Sequence, residues 1–254
     1  MSAAFVTVKP DYAYPEKREL LEALYDFVEE EAARFEFVCR RGCSHCCTTH
    51  LWLTSLEARY LRETLAPELE ERLLSLSPYP RPGSTPNTMA LFLMRGKDPP
   101  PDYPAEVRAC PLLTDEGLCA VYPRRPLTCR LMFSLRPCAE KGEAEVPPDF
   151  LGLSSLLFQL VEEVDVGGVY GHLSDQVRFL RDLEAGTEEV PEWLLGNREA
   201  PDLAYSPEEE YLRGALARLY RRKLPSGKTF KELLDEIKEG FGPREALSFL
   251  DEIL

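Results

Sequence analysis

The positions of the eight cysteines limit how this 254-residue chain can fold more than any other feature of its sequence. CRRGCSHCC, at residues 39–47, places four thiols and a histidine in nine positions. The other four thiols lie between residues 110 and 138, and none follows. The cysteines are Cys39, Cys43, Cys46, Cys47, Cys110, Cys119, Cys129 and Cys138. We expect the fold to bring the two stretches together.

The sequence context favours metal binding over disulfides for these thiols. The first twenty residues lack the basic start and apolar core of a secretory signal. No apolar run approaches the ~20 residues that cross a bilayer. We therefore expect a cytoplasmic protein with no membrane partner. In that reducing compartment, clustered cysteines indicate a metal site or catalysis.

The cysteine spacing suits either zinc or an iron–sulfur cluster. Cys39, Cys43 and Cys46 form a C-x₃-C-x₂-C pattern, which is compatible with both. Cys47 is adjacent to Cys46, and neighbouring side chains rarely complete one tetrahedron, so Cys47 serves a second centre or is spare. The later cysteines are too widely spaced for a zinc knuckle. Eight thiols fill two four-thiolate sites, or one cluster with cysteines left over.

The first stretch has two further interpretations. His45 is a candidate ligand, although the thiols beside it are softer competitors. C-x₃-C-x₂-C also matches the cluster motif of radical S-adenosylmethionine (SAM) enzymes. Those enzymes need alternating strands and helices for a partial barrel, and this sequence does not indicate them.

The distribution of charge excludes one class of partner and indicates where an anionic centre would lie. A net charge of −14 argues against a general nucleic-acid binder. Residues 104–141 nevertheless carry six basic and four acidic side chains. Arg125 and Arg130 flank Cys129 and are our candidate cofactor-binding residues. They would compensate thiolate charge or hold a substrate carboxylate, or alternatively only set the turn that aims Cys129.

Hydrophobic periodicity predicts a mainly α fold around an irregular cysteine-rich region. Helices are expected over residues 15–35, from Thr54 to about 65, from Pro67, within 88–94, and throughout the C-terminal part. There, starts are expected at Ser174, at the Ser206-Pro207 cap and at the Thr229 capping box, with Gly240 as the last stop. We divide the chain into a metal-binding region, 1–148, with its core motif at 36–138, and a helical region, 149–254, packed on it.

Several of these residues together resemble a known family. CRRGCSHCC, LWLTSLEA and CPLLTDEGLCAVYPRRPLTCR are similar to the YkgJ-like cysteine-cluster family of zinc- or iron-chelating domains. Its pattern is C-x₃-C-x₂-C-C, then C-P-[apolar]₂, G-x-C-x-[apolar]-Y and R-P-x-x-C-R. The resemblance covers about residues 36–135. It includes every cysteine except Cys138, together with Pro111, Gly117, Tyr122, Arg125, Pro126 and Arg130.

The resemblance implies a metal centre and leaves the metal open. The family includes flagellin lysine N-methylases, which use SAM with cysteine-bound iron, so a methylase is compatible with it. The glycines at 167–171 have the wrong spacing for a Rossmann-type SAM loop. If the chain uses SAM, the cluster must help to bind it.

Three functional hypotheses follow. The favoured one is an iron–sulfur protein with a redox or enzymatic role, acting on a protein substrate or a redox partner. The second is a SAM-dependent protein-lysine methyltransferase. The third is a zinc-stabilised adaptor, in which the metal contributes only folding energy.

Overall fold

The computed structural model describes residues 8–104, 106–187, 189–200, 203–205 and 209–241. The described part is mainly α, as predicted, with one small sheet. Its helices are α1 (Tyr14–Ala32), α2 (Ser55–Arg62), α3 (Pro67–Leu74), α4 (Pro86–Met94), α5 (Leu127–Arg130), α6 (Cys138–Lys141), α7 (Pro148–Val164), α8 (Leu173–Glu184), α9 (Glu210–Tyr220) and α10 (Phe230–Phe241). Its strands are β1 (Trp52–Thr54), β2 (Val169–His172) and β3 (Leu195–Gly196).

Helix starts follow the predicted capping chemistry closely. At the start of α2, the Thr54 side chain accepts a hydrogen bond from Glu57 N–H, and the Glu57 carboxylate accepts one from Thr54 N–H. Thr229 and Glu232 form the same reciprocal pair at the start of α10. Both predicted capping boxes are confirmed. Each satisfies backbone N–H groups that the first helical turn leaves without partners.

The predicted helix ends differ from the structure in three places. The first helix ends at Ala32, three residues before the predicted end at residue 35. The second helix ends at Arg62, three residues before the predicted end. Gly240 does not stop the last helix, which continues to Phe241. Glycine at position 240 serves the packing of the helix instead of ending it. A Cβ at this position would lie 2.5 Å from the hydroxyl of Tyr12, which precedes α1. The predicted Ser206-Pro207 cap lies outside the described residues.

The strands form an antiparallel sheet in the order β1-β2-β3. Trp52 pairs with His172, and Tyr170 pairs with Leu195. The sequence did not indicate these strands, because two to four residues are too few to show an alternating pattern. The sheet joins the segment after the first cysteine stretch to the segment between α7 and α8.

The main hydrophobic core packs α1 against α7, α9 and α10. Fully buried side chains from all four helices meet in it, including Leu24, Leu157, Leu219 and Leu233. The core crosses the proposed boundary at 148/149, so the two regions share one interior. The division of the chain at this boundary stays a prediction.

A buried ion pair ties this core to the sheet. Lys17 on α1 donates to the Asp165 carboxylate (3.3 Å) and to the Val166 carbonyl (2.6 Å), and both charged side chains are fully buried. Asp165 also accepts hydrogen bonds from Ser55 Oγ (2.6 Å) and Asn197 Nδ2 (3.0 Å). One carboxylate thus joins α1, the start of α2 and the chain after β3.

A second, smaller core lies under the cysteine stretches. It contains Leu53, Leu61, Val177 and Leu180. Three cysteines of the second stretch pack against it: Cys110, Cys119 and Cys129. Across the described residues, no helix combines the length and apolar character needed to cross a membrane.

Candidate metal centre

The first cysteine stretch folds as two successive turns. The N–H of Cys43 donates to the Arg40 carbonyl, and that of Cys47 donates to the Ser44 carbonyl, both at 3.0 Å. Gly42 adopts φ 93°, a left-handed conformation that glycine tolerates without a steric penalty. The turns keep the segment compact, and its four cysteines all line one cavity.

Backbone hydrogen bonds hold the second stretch beside the first. Cys110 N–H donates to the Cys47 carbonyl (3.0 Å), and Thr49 N–H donates to the Arg108 carbonyl (2.8 Å). Between them, Thr48 and Ala109 form an antiparallel β-bridge. The two stretches therefore lie side by side, as their shared chemistry led us to expect.

A tight hairpin then returns Cys119 to the same cavity. Cys119 forms an antiparallel bridge with Leu113, and Ala120 N–H donates to the Leu112 carbonyl at 2.9 Å. Gly117 makes the reversal with φ 74°. Cys110 and Cys119 consequently stand at opposite ends of one short hairpin, and both face the cavity.

Cys129 is positioned by a buried glutamate. Glu57, which is 2% exposed, accepts hydrogen bonds from the Leu127 N–H (2.7 Å) and from the Tyr25 hydroxyl (3.1 Å). Leu127 begins α5, so a carboxylate anchors the start of the helix that carries Cys129. Burial raises the pKa of Glu57, and the N–H groups of Leu127 and Thr54 oppose that shift.

A buried histidine holds the segment that follows the first stretch in place. His172 Nε2 lies 2.5 Å from the Thr49 carbonyl, and Nδ1 lies 2.8 Å from Ser174 Oγ. The pKa of His172 falls to about 4 because of burial, so the ring is neutral near pH 7. A neutral ring that also accepts from the Ser174 N–H at Nδ1 carries its proton on Nε2, which donates to Thr49. Sequence analysis gave no site role to this residue or to Glu57.

The thiols surround a cavity of about 120 Å³. Every cysteine except Cys138 lines it, together with Arg40 and Arg125. All eight cysteines are free thiols, and Cys129 is the most deeply placed, with a pKa raised by burial. A single sulfur-rich cavity thus receives side chains from both stretches.

The eight thiols in and beside this cavity form two neighbourhoods. Cys39 lies within electrostatic reach of Cys43, Cys46 and Cys138, whose negative charges add to the effect of burial in raising its pKa. Cys47 is similarly close to Cys110, Cys119 and Cys129. We call these the Cys39 group and the Cys47 group. Each group as defined contains four thiols, and Cys46 also lies within electrostatic reach of Cys129 in the other group.

The two groups meet at a thiol–thiol hydrogen bond. The adjacent thiols of Cys46 and Cys47 interact so that the pKa of Cys46 is raised and that of Cys47 is lowered. The Cys47 thiolate is therefore the form that the neighbouring thiol favours. Because the thiolate is the metal-binding form of cysteine, this arrangement prepares Cys47 to act as a ligand.

The two arginines singled out from the sequence are engaged with protein groups. Arg130, 7% exposed, donates to the carbonyls of Arg125 (2.9 Å) and Pro123 (2.7 Å) and to Glu29 (3.0 Å). Arg125 donates to Glu29 (2.8 Å) and to the Tyr122 carbonyl (3.1 Å). These contacts shape the turn before Cys129, which was the structural alternative. A cofactor-binding role for either arginine stays a prediction.

The histidine within the first stretch and the one just after it differ in position. His45 is exposed and is not among the residues that line the cavity, whereas His50 lines it and lies 3.3 Å from the Tyr79 hydroxyl through Nδ1. The role of His45 as a ligand stays a prediction. His50 adds an imidazole that the sequence did not assign to the site.

The donor set fits zinc or iron, since both metals bind cysteine thiolates. In the part of the chain that the structure describes, no three cysteine, histidine or acidic side chains converge tightly enough to hold an ion as they stand. The thiols surround a space instead of meeting at a point. Rotation of their side chains between staggered positions would bring sulfur atoms toward bound metal.

The fold and the cavity define a mainly helical protein with a thiol-lined enclosure. Residues 38–148 match the family model CxxCxxCC, described as "putative zinc- or iron-chelating domain". The match confirms the resemblance seen in the motifs, and metal chelation is the property that the family's description names. The match includes Cys138, which lies outside the motif pattern. No curated protein and no solved structure matches the chain significantly.

Proposed function

We propose that this protein binds an iron–sulfur cluster through the Cys47 group. The observation that carries the proposal is a cavity of about 120 Å³ lined by thiols from both cysteine stretches. A zinc ion draws four ligands to one point, whereas a cluster distributes its thiolates over several iron atoms. Thiols that surround a space without converging suit the second arrangement.

The Cys47 group is the stronger candidate of the two. All four of its cysteines line the cavity, whereas Cys138 of the Cys39 group does not. Three of the four pack against the smaller core, so they are supported from behind by buried apolar side chains. Supported ligands lose less freedom when they bind, which favours affinity.

Local charge also supports an anionic cluster. The positive charges of Arg125 and Arg41 lower the pKa of Cys119 against the larger effect of burial, which raises it. Arg40 lines the cavity as well. A cluster with four thiolate ligands carries net negative charge, and these guanidinium groups would offset it.

The test is to purify the protein without oxygen and measure iron, acid-labile sulfide and zinc per chain. Equal amounts of iron and sulfide, with the broad visible absorption of a cluster, are expected. Stoichiometric zinc without sulfide would overturn the proposal in favour of the zinc-stabilised adaptor. Absence of all three would overturn metal binding altogether.

A matched pair of variants identifies the ligands. Cys110→Ser, in the Cys47 group, is expected to lose the cluster. Cys138→Ser, outside the cavity, is expected to keep it. Equal loss from both variants would contradict the assignment to the Cys47 group. Loss of about half the iron from each would indicate that both groups carry a cluster.

The remaining alternative, a SAM-dependent protein-lysine methyltransferase, is tested on the cluster-loaded protein. SAM that binds an open iron site changes the electron paramagnetic resonance spectrum of the reduced cluster. We expect no change, because the Cys47 group supplies a thiolate for each iron atom of a cubane cluster. A SAM-dependent change would favour the methyltransferase. A reversible reduction potential without SAM binding would favour a redox role and a protein redox partner.

A further inference from the structure

A second cavity, larger than the thiol-lined one, lies beside it. It measures about 580 Å³ and is bounded by α4, α7, the β1–β2 edge and residues 203–205. This volume is within the range of pockets that enclose small molecules. Its walls include Trp52, Met89, Leu93, Phe158, Tyr170 and Tyr205.

The cavity is built for an uncharged occupant. Among the described residues that line it there is no Asp, Glu, Lys, Arg or His. At its rim, Met89, Leu93 and Met94 of α4 are 40%, 60% and 61% exposed. Large apolar side chains left in water beside an apolar cavity are typical of a ligand entrance. A charged ligand would lose its hydration here without gaining a counter-charge.

Two polar atoms in the wall have no partner. Trp52 Nε1 and Ser84 Oγ are buried without a hydrogen bond, and Ser84 is only 6% exposed. Both residues line the cavity. Buried donors left unpaired are costly, and native structures nearly always satisfy them with protein, water or ligand. The indole N–H can only donate, so its partner must be an acceptor.

Other polar groups of the same wall are already satisfied. Ser155 Oγ donates to the Leu151 carbonyl (3.3 Å). Gln159 donates to the Ala204 carbonyl (3.1 Å) and accepts from the Ala204 N–H (2.7 Å). Among the buried side-chain nitrogen and oxygen atoms of the described residues that line the cavity, Trp52 Nε1 and Ser84 Oγ are the ones without a partner.

We propose that this cavity binds an uncharged, mainly apolar molecule whose carbonyl oxygen accepts hydrogen bonds from Trp52 Nε1 and Ser84 Oγ. The carbonyl satisfies the two unpaired donors, and the apolar body fills the space between α4 and α7. Thr128 lines both this cavity and the thiol-lined one. The bound molecule consequently lies next to the helix that carries Cys129. The proposal does not depend on which metal the thiols hold.

Binding is tested with Prodan, an uncharged naphthalene with one carbonyl group, whose fluorescence shifts to the blue in apolar surroundings. Titration of the metal-loaded full chain is expected to show one saturable site. The same naphthalene without its acyl group, 2-(dimethylamino)naphthalene, should compete about 10-fold more weakly. An anionic probe, 1-anilinonaphthalene-8-sulfonate, should compete more weakly still.

Matched variants place the probe in this cavity. Ser84→Ala and Trp52→Phe each remove one unpaired donor, and each should raise the dissociation constant for Prodan about 5- to 10-fold. Ser155→Ala removes a hydroxyl that already has a partner and should change it by less than about 2-fold. Ala90→Phe, on α4, should fill the cavity and abolish binding. Ala204→Phe does the same from the opposite wall if the first variant does not fold.

Three results would overturn the proposal. The first is the absence of saturable Prodan binding. The second is an equal dissociation constant for wild type, Ser84→Ala and Trp52→Phe. The third is displacement of Prodan when the protein self-associates at higher concentration. Prodan binding that persists in Cys110→Ser would support the cavity assignment even if the cluster is lost. Failure of one proposal is thus distinguishable from failure of the other.

Discussion

Two parts of this molecule are held together by different physical means. The helical frame, α1 with α7, α9 and α10, is joined by fully buried apolar side chains. The cysteine loops, residues 39–47 and 110–130, are joined mainly by backbone hydrogen bonds and a few anchored polar groups. Most of their cysteines are only partly buried. The frame therefore has its own source of stability, whereas the loops leave their most reactive side chains around an open space.

This difference implies that bound metal stabilises the cysteine loops and not the helical frame. Metal bound by thiolates contributes free energy to the structure that holds it. The frame does not need that contribution, because its core is already packed. The comparison predicts that substitutions in the frame change global stability, that substitutions at anchors between the two parts change both, and that substitutions in the loops change mainly the metal site.

The largest effect is expected from the buried ion pair of the frame. Lys17→Met leaves the Asp165 carboxylate buried without its cation, which should lower the free energy of unfolding by about 3–5 kcal/mol. Urea unfolding followed by helical circular dichroism measures it. The control is Lys231→Met, which removes an exposed partner of Asp235 and should cost less than about 0.5 kcal/mol. Equal effects would show that burial of the pair is not what matters.

The next largest effect is expected from the anchor between frame and loops. Glu57→Ala removes the acceptor for Leu127 N–H, Tyr25 hydroxyl and Thr54 N–H, with an expected loss of about 3 kcal/mol. Because α5 loses its tether, Cys129 should also react faster with iodoacetamide in the metal-free protein.

The matched control for Glu57 is Glu232→Ala. Glu232 forms the same capping box with Thr229, but on the surface of α10. Its loss should lower the free energy of unfolding much less than the loss of Glu57 and leave Cys129 reactivity unchanged. If both variants change thiol reactivity alike, Glu57 does not hold α5.

These two capping boxes illustrate how far the sequence predicts the fold and where prediction stops. Thr54-x-x-Glu57 and Thr229-x-x-Glu232 look alike in sequence, and both helix starts were predicted correctly. Only the tertiary structure distinguishes an exposed cap from a buried carboxylate that also holds a helix 70 residues away. Local hydrogen bonding is encoded within four residues. The second role depends on which segments pack together.

The cysteine site shows the same limit. The sequence indicated that Cys47 would differ in role from Cys46, because adjacent side chains rarely serve one tetrahedral site. The sequence did not indicate which cysteines lie near Cys47. Cys110, Cys119 and Cys129 lie near it because backbone pairing joins segments that are far apart in sequence. His172 was equally inaccessible to sequence analysis, because its role arises from a contact with Thr49 across the β1–β2 pairing.

His172 should make the free energy of unfolding depend on pH, with an effect smaller than that of Glu57→Ala. Burial lowers the pKa of His172 from 6.5 to about 4, so the unfolded chain binds more protons between these values. Its contribution to stability is therefore full above pH 6.5 and is lost as pH falls toward 4. We expect a loss of about 2.5 kcal/mol across this window.

The control for the pH effect is His172→Gln, whose amide can donate to the Thr49 carbonyl without titrating. The difference in unfolding free energy between wild type and variant should shrink as pH falls from 6.5 to 4. A difference that does not change with pH would show that His172 does not titrate on unfolding in this window.

The smallest effect on the frame is expected from loss of the metal itself. Cys110→Ser removes a ligand of the proposed cluster, yet Leu24 and Leu157 in the frame core lie in a separate cluster of buried residues. Helical circular dichroism should change little, and the unfolding free energy of the frame should fall by less than about 1 kcal/mol. Limited proteolysis should nevertheless begin to cut within residues 39–47 and 110–119. Cys138→Ser should show neither change. If Cys110→Ser instead melts the helices, the loops support the frame, and the separation of the two parts on which this comparison depends is wrong.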